Sequence, residues 1–408
     1  MKIAILISDL SISGGAQRQA LELANFLSKR GNEVKVYCGY LDKNLCHPEL
    51  IKDTTVYGLF GKKEITSKNI FYRFFAPLLE WVFWTKRNNQ LIDLMDKNFD
   101  IINPHDDIVC EAASHYKDKY NTPIVLTLND VPAWRNEISI KGNIIVEHAF
   151  KKMLYYFRGF FIMQRANKKI MSNADEIVVL DYMNKRQLKD NFGLDANIIR
   201  SGLDIKKFKY KKRNSISIGR KINILAVSIF LSHRRFEYLV GAVPYLINKG
   251  YDVNLTIIGS EKLDPNYSKK IHNLVKELNI IDYVNFMGEV TDDELLENYH
   301  TSDIFVFPNY PQTWGLAVFE AMACGTPTIV SRGCGASEIL NDGENSLLIS
   351  QESSSLEIAN SIEQLITDEK LWEKLSVNGR KFVEGNISWS TYGENMLKLF
   401  KEAINKTP

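Results

Sequence analysis

Short apolar runs alternate with helix-length segments along almost the whole chain, and this alternation limits the accessible folds more than any other feature. Ile3–Ile7 reads as a buried strand, and Ser13-Gly14-Gly15-Ala16-Gln17-Arg18 turns the chain. Ala20, Leu21, Leu23, Ala24 and Leu27 then recur at helical spacing, and Gly31 ends the helix before a strand at Glu33–Cys38. Ile101–Asn103, Ile124–Leu128 and Glu176–Leu180 continue the series. The pattern breaks in a basic, strand-poor stretch at 202–221 and restarts with strands near 223–228, 253–258, 283–286, 303–307 and 328–331. Strands that alternate with helices predict parallel sheets covered on both faces. Two such stretches predict an α/β protein of two Rossmann-like domains facing across a cleft. The boundaries are read as 1–205 and 206–390. A helix near 391–405 follows the last strand, and 391–408 is a candidate to return to the first domain.

Composition excludes several classes. The 408 residues are 45% hydrophobic and 25% charged, ordinary for a globular protein, and the five cysteines show no metal-type spacing. Thiols as small core residues suit a reducing, cytoplasmic setting. The longest apolar runs fall short of the roughly 20 residues of a membrane-spanning helix. The net charge of +2 hides a split: residues 1–250 carry 39 Lys/Arg against 25 Asp/Glu, and residues 251–408 carry 12 against 24. The basic part will attract anionic surfaces or substrates. It contains no nucleic-acid recognition motif, and no Gly-x-Gly-x-x-Gly follows the first strand, which disfavours a dinucleotide-binding dehydrogenase.

The richest stretch is 307–327, Phe-Pro-Asn-Tyr-Pro-Gln-Thr-Trp-Gly-Leu-Ala-Val-Phe-Glu-Ala-Met-Ala-Cys-Gly-Thr-Pro. A strand ends at Pro308, and a helix opens near Gly315 and Leu316. The N–H groups and dipole of a helix start suit a diphosphate, and Gly315 permits close approach of the backbone. Glu320, in the same helix, is placed to accept both hydroxyls of a ribose. The plainer reading of Glu320 is a surface acid on an amphipathic helix.

This block resembles the signature of glycosyltransferase family 4, in which two Glu flank seven residues. Gly14-Gly15-Ala16-Gln17-Arg18 resembles that family's acceptor-side loop, and Asp100–His105 and Val125–Asp130 resemble its following strand ends. Ser201-Gly202-Leu203-Asp204 with Phe208 is similar to the interdomain motif, and Val284–Gly288 to the nucleobase loop. Gly333–Ile339, Asp342–Asn345 and Asn386–Trp389 match the stretches beyond the signature. The matches run in order over nearly the whole chain. The resemblance implies the two-domain GT-B fold, a nucleotide-sugar donor in the C-terminal domain, a glycan or lipid-linked acceptor in the N-terminal one, retention of anomeric configuration, and no metal or other cofactor. UDP is preferred over GDP on family frequency. The implied donor-binding residues are Gly14, Gly15, Arg234, Arg235, Gly288, Gln312, Gly315, Leu316 and Glu320. Gln17, Arg18 and Asn129 are implied on the acceptor side, and Asp130, Arg234 and His105 as catalytic groups.

Three positions depart from the family pattern. Gln312 stands where the leading Glu belongs and keeps hydrogen bonding without the charge. Ile229 stands where a diphosphate-gripping Arg is expected, while Arg234 takes the place of the Lys and offers a planar fork to phosphate. Arg234 and Arg235 also read as solvated residues at a helix start. Asn129 replaces a His before Asp130, which makes Asp130 the candidate to accept the acceptor's proton, with a structural cap as the alternative. His105 is a second candidate, though a lone His is commonly structural. The departures keep open a non-catalytic sugar-nucleotide-binding or scaffold protein on the same fold.

His148–Lys169 combines six basic residues with six aromatics and no acid, and 69–87 adds a second aromatic-basic segment. Such mixtures suit a segment lying on anionic lipid, or helices packed into a core. The expected setting is cytoplasmic, with peripheral contact at the cytoplasmic face of a membrane.

Overall fold

The computed structural model describes residues 1–12, 14–59, 70–131, 167–212 and 219–406, with side chains left aside over 70–81. It divides into two compact units, one of residues 1–202 with 389–408, the other of 203–388. Both are α/β with parallel sheets. The two crossings of the chain lie side by side, since Leu203 and Ser388 form a parallel β-bridge.

In the first unit β1 (Lys2–Leu10), β2 (Glu33–Leu41), β3 (Val56–Gly58) and β4 (Ile101–Pro104) form a sheet ordered β3-β2-β1-β4. β5 (Val125–Leu128), β6 (Glu176–Val179) and β7 (Asn197–Ile198) form a second, and a bridge between Ile102 and Ile124 joins the two. The described helices are α1 (Gly15–Lys29), α2 (Ile70–Leu94), α3 (Asp107–Tyr120) and α4 (Tyr182–Phe192), beside a short turn at Pro48–Ile51. Ile3, Ile5 and Ile7 alternate toward one face of β1, where Ala20, Leu23 and Leu27 of α1 meet them. Each buried Ile or Leu among them contributes about 1.5–3 kcal/mol.

The second unit repeats the plan. β8 (Ile222–Val227), β9 (Val253–Ile258), β10 (Val284–Gly288), β11 (Ile304–Phe307), β12 (Thr328–Ser331) and β13 (Leu347–Ile349) are ordered β10-β9-β8-β11-β12-β13, all parallel. Its helices are α5 (Phe236–Asn248), α6 (Pro265–Glu277), α7 (Asp292–Thr301), α8 (Leu316–Ala323), α9 (Ser355–Thr367) and α10 (Glu369–Asn386). The last helix, α11 (Trp389–Lys406), belongs to the first unit. Tyr392, Met396 and Phe400 enter the core beside α1, and Phe26 lies where any side chain at Gly393 would collide with it. Arg30 pairs with Glu394, and Lys406 with Glu176 at 2.6 Å. In both units the strand order reverses beside the first strand. In open α/β sheets the loops leaving neighbouring strands part at such a point, and ligands bind beyond the carboxyl ends of the strands there.

Candidate active site

In the second unit the reversal lies between β8 and β11, and the residues singled out above cluster on the loops that leave these strands. The turn after β8 is laced to its neighbour: Phe230 N donates to Ser260 O at 2.9 Å. Gly259 permits this approach, because at its φ of 152° a Cβ would sit 1.9 Å from the Ser228 carbonyl. A 3-10 turn at Ser232–Arg234 follows.

The two arginines at this turn do different work. Arg235, 8% exposed, adopts φ 58° and donates to the carbonyls of Gln351 and, at 2.9 Å, Ser353, with its guanidinium over the Tyr238 ring. Its fork holds the 351–353 loop against the start of α5. These contacts give Arg235 a structural task, beside which its part in gripping the donor stays an expectation. Arg234 is half-buried and lies beside Asn309, which is fully buried at the end of β11. With its amide turned to satisfy both groups, Asn309 accepts from Arg234 Nη1 at 3.3 Å and donates to the Arg234 carbonyl at 3.1 Å. His233 is buried, and burial together with the Arg234 charge lowers its pKa to about 3, so it adds no charge at neutral pH.

The loop after β11 leads to α8. Tyr310 N donates to His233 O, Gln312 N to Gly333 O at 3.1 Å, and Gly335 N to Gln312 O at 2.9 Å, which pins this loop between those after β8 and β12. Gln312 is 9% exposed, and its Oε1 has no hydrogen-bond partner among the described residues. An unsatisfied buried acceptor costs about 1–3 kcal/mol, so an orphan at a loop crossroads marks a place where a ligand donor would be welcome. Gly315 caps α8 at φ 85°, and a Cβ there would meet Cys334 Sγ at 2.9 Å and the Phe307 ring at 3.1 Å. Glu320, half-buried one turn into α8, accepts the Tyr299 hydroxyl at 2.8 Å. At Gly288, φ 64°, the space a side chain would fill is open. A guanidinium and an orphan acceptor thus lie on adjoining loops, and the second of these loops leads into the helix N-terminus and the held carboxylate of α8.

The other predicted residues lie in the first unit. Gly14 and Gly15 open α1 there, and Gln17 Nε2 donates to the Asp9 carbonyl at 3.1 Å. Arg18 pairs with Glu22 at 3.5 Å. Asn129 and Asp130 follow β5, both half-buried, and Asn129 Nδ2 has no hydrogen-bond partner among the described residues. His105 is 1% exposed, its Nε2 lies 2.8 Å from Asn103 Oδ1, and burial lowers its pKa to about 3. A neutral ring buried at the end of β4 fits the structural reading of His105 given above. Asp106 caps α3 through Val109 N at 3.0 Å, and Asp292 and Asp293 fill the first turn of α7. Among the described residues no three His, Cys, Asp or Glu gather as a metal site would require.

Comparison with known proteins gives the family and the fold. Residues 13–207 match the profile described as Glycosyltransferase Family 4, and residues 208–382 that described as Glycosyl transferases group 1. The chain belongs to glycosyltransferase family 4. It is 28% identical over 286 residues to an uncharacterised glycosyltransferase of Methanocaldococcus jannaschii, covering 70% of each chain. To the GDP-mannose-dependent alpha-(1-6)-phosphatidylinositol monomannoside mannosyltransferase of Mycolicibacterium smegmatis it is 22% identical, over 58% of this chain and 65% of that one. Its fold is that of the Anabaena protein HepE, solved with UDP and glucose: the TM-score is 0.73 at 17% identity, with 98% of this chain and all of that one covered.

Two residues of this glycosyltransferase escaped sequence reasoning. Asn309 carries no charge, and Tyr299 lies 21 positions before its partner Glu320 on another element. A polar residue at a buried strand end was the available signal for Asn309. Tyr299 looks like any core aromatic until its hydroxyl is located. The aromatic-basic stretch at 148–166 lies outside the described residues, and no described helix is long and apolar enough to cross a membrane.

Proposed function

We propose that this glycosyltransferase takes a nucleotide-diphosphate sugar, with UDP as the preferred carrier, and transfers the sugar with retention to a glycan or lipid-linked acceptor. The observation that carries the reading is the seating of Arg234 against Asn309, on the loop that leads from β11 into the N-terminus of α8, at the strand-order reversal. Departure of the nucleotide leaves negative charge on the diphosphate, and fixed N–H dipoles and a guanidinium are suited to stabilise it. In this reading no metal or other cofactor is required. Glu320 accepts from the ribose, and the orphan Gln312 Oε1 accepts from a hydroxyl of the donor sugar. Asp130, at the end of β5, takes the acceptor's proton. HepE was solved with UDP, which supports the choice of carrier, and the mannosyltransferase relative makes GDP the runner-up.

The basic first half supports an anionic, lipid-linked acceptor and work at the cytoplasmic face of a membrane. Salt-sensitive co-sedimentation with anionic but not neutral vesicles is the expected result, and equal binding to both would count against it. Gln312 and Ile229 favour a second reading, a binding or scaffold protein that no longer transfers sugar. A panel of UDP- and GDP-sugars, followed by thermal shift and by donor consumption with and without a lipid-linked oligosaccharide, separates the two. Acceptor-dependent consumption supports transfer, whereas binding without consumption supports the scaffold.

A further inference from the structure

We propose that Tyr299 is a positioning residue that holds the Glu320 carboxylate for ribose and so sets the preference of the site for ribose over deoxyribose. The inference rests on the reading of Glu320 given above. Tyr299 lies on α7, fully buried, with its ring set against Phe208 at 6.2 Å and Phe305 at 5.9 Å. Its two ends tie it to the Glu320 helix and to the turn just beyond that helix. The hydroxyl donates to Glu320 Oε2 at 2.8 Å, and the carbonyl accepts from Thr326 Oγ1, just beyond α8, at 2.7 Å. The ring cannot swing without breaking its packing, so the hydroxyl is a fixed point from which the carboxylate hangs.

A half-buried glutamate on a helix otherwise has several side-chain rotamers. To accept from a sugar diol it must be caught in one of them, and ordering costs free energy each time a ligand binds. A bond from a rigid, buried donor meets that cost in the free protein. Burial first, and then the charge of Glu320, push the phenol's pKa well above its ordinary value of 10, so Tyr299 stays a donor at any working pH. The substitution Tyr299→Phe removes one oxygen and keeps the ring, its packing and the Thr326 bond.

The test measures the affinities of UDP and GDP against their 2′-deoxy and 3′-deoxy forms by calorimetry, for the wild type, Tyr299→Phe and Glu320→Gln. The wild type should favour at least one ribonucleotide over a deoxy form by about tenfold, the worth of a hydrogen bond to a charged group. Tyr299→Phe should narrow that ratio to about threefold or less through loss of ribonucleotide affinity, with the deoxy form barely affected, because only the diol uses the carboxylate. A merely structural tyrosine would weaken both nucleotides alike and leave the ratio unchanged. An unchanged ratio in Tyr299→Phe beside a collapsed one in Glu320→Gln overturns the role of Tyr299 and leaves Glu320 in the site. A ratio untouched by Glu320→Gln, or a wild type without discrimination, overturns the ribose assignment and the proposal with it.

Discussion

The carbonyl of His233 accepts the N–H of Tyr310 at 2.9 Å. This one bond joins the turn that presents Arg234 to the loop that leads into α8, so the candidate diphosphate cation and the helix N-terminus are held as one piece. Asn309 strengthens the join by lying along Arg234. Pre-set donors of this kind act most where charge grows during reaction.

Arg234→Ala should therefore lower turnover by about 10²-fold while raising the donor Michaelis constant much less. Arg234→Lys should restore part of the loss, since charge survives but the fork does not. Arg235→Ala should act differently, loosening the 351–353 loop and lowering the melting temperature. Steady-state kinetics beside thermal melts of the three variants provide the check. Normal turnover in Arg234→Ala would remove it from the leaving-group site.

Glu320→Ala should weaken nucleotide diphosphate binding by about 1–3 kcal/mol, the range for a lost hydrogen bond to a charged group. Calorimetry with UDP and GDP measures it directly. Unchanged affinity for both nucleotides and for the sugar-linked donor would mean that the acid faces solvent without a ligand.

Gly315→Ala should destabilise the second unit by about 1–3 kcal/mol, because a side chain at φ 85° is strained and also meets Cys334 Sγ at 2.9 Å. Gly288→Ala keeps a positive φ, 64°, but enters open space, so only the backbone cost of about 1–2 kcal/mol remains. Denaturant titration should rank Gly315→Ala as the more damaging, and the reverse order would contradict the close packing of the loops after β11 and β12.

How much of this was legible in the sequence differs from residue to residue. The alternation of apolar runs with helical spacing carried the strand series of both units, because burial on both faces of a parallel sheet leaves unbroken apolar stretches. Gly315 and Glu320 were legible for the same local reason, as a helix start and a residue one turn inside it. Arg234 and Arg235 could not be separated. They are adjacent and equally charged, and the carbonyls that claim Arg235 lie 116 and 118 positions further on. The role of Tyr299 was hidden likewise by a contact between α7 and α8. The amphipathic pattern near 391–405 announced a helix but not its seat, which depends on the gap that Gly393 leaves for Phe26.

The last prediction concerns acid. His105 and His233 both have folded pKa values of about 3 against an ordinary 6.5, the first through burial and the second through burial and the Arg234 charge. The fold therefore favours the neutral ring of each. Below pH 6.5 the unfolded chain takes up protons that the folded one refuses, so their contribution is complete above that pH and is lost progressively as pH falls toward 3. Each histidine can add a slope of about 1.4 kcal/mol per pH unit inside that window. Asp106 is raised by burial and opposes this loss, so the comparison is made between variants rather than on absolute stability. Unfolding by urea at pH 7.5, 6 and 5 should show the wild type weakening on acidification, and His105→Gln weakening less steeply from a lower starting point. Identical pH slopes in the two proteins would mean that the ring of His105 can be protonated within the fold, and would reopen its case as a working acid or base.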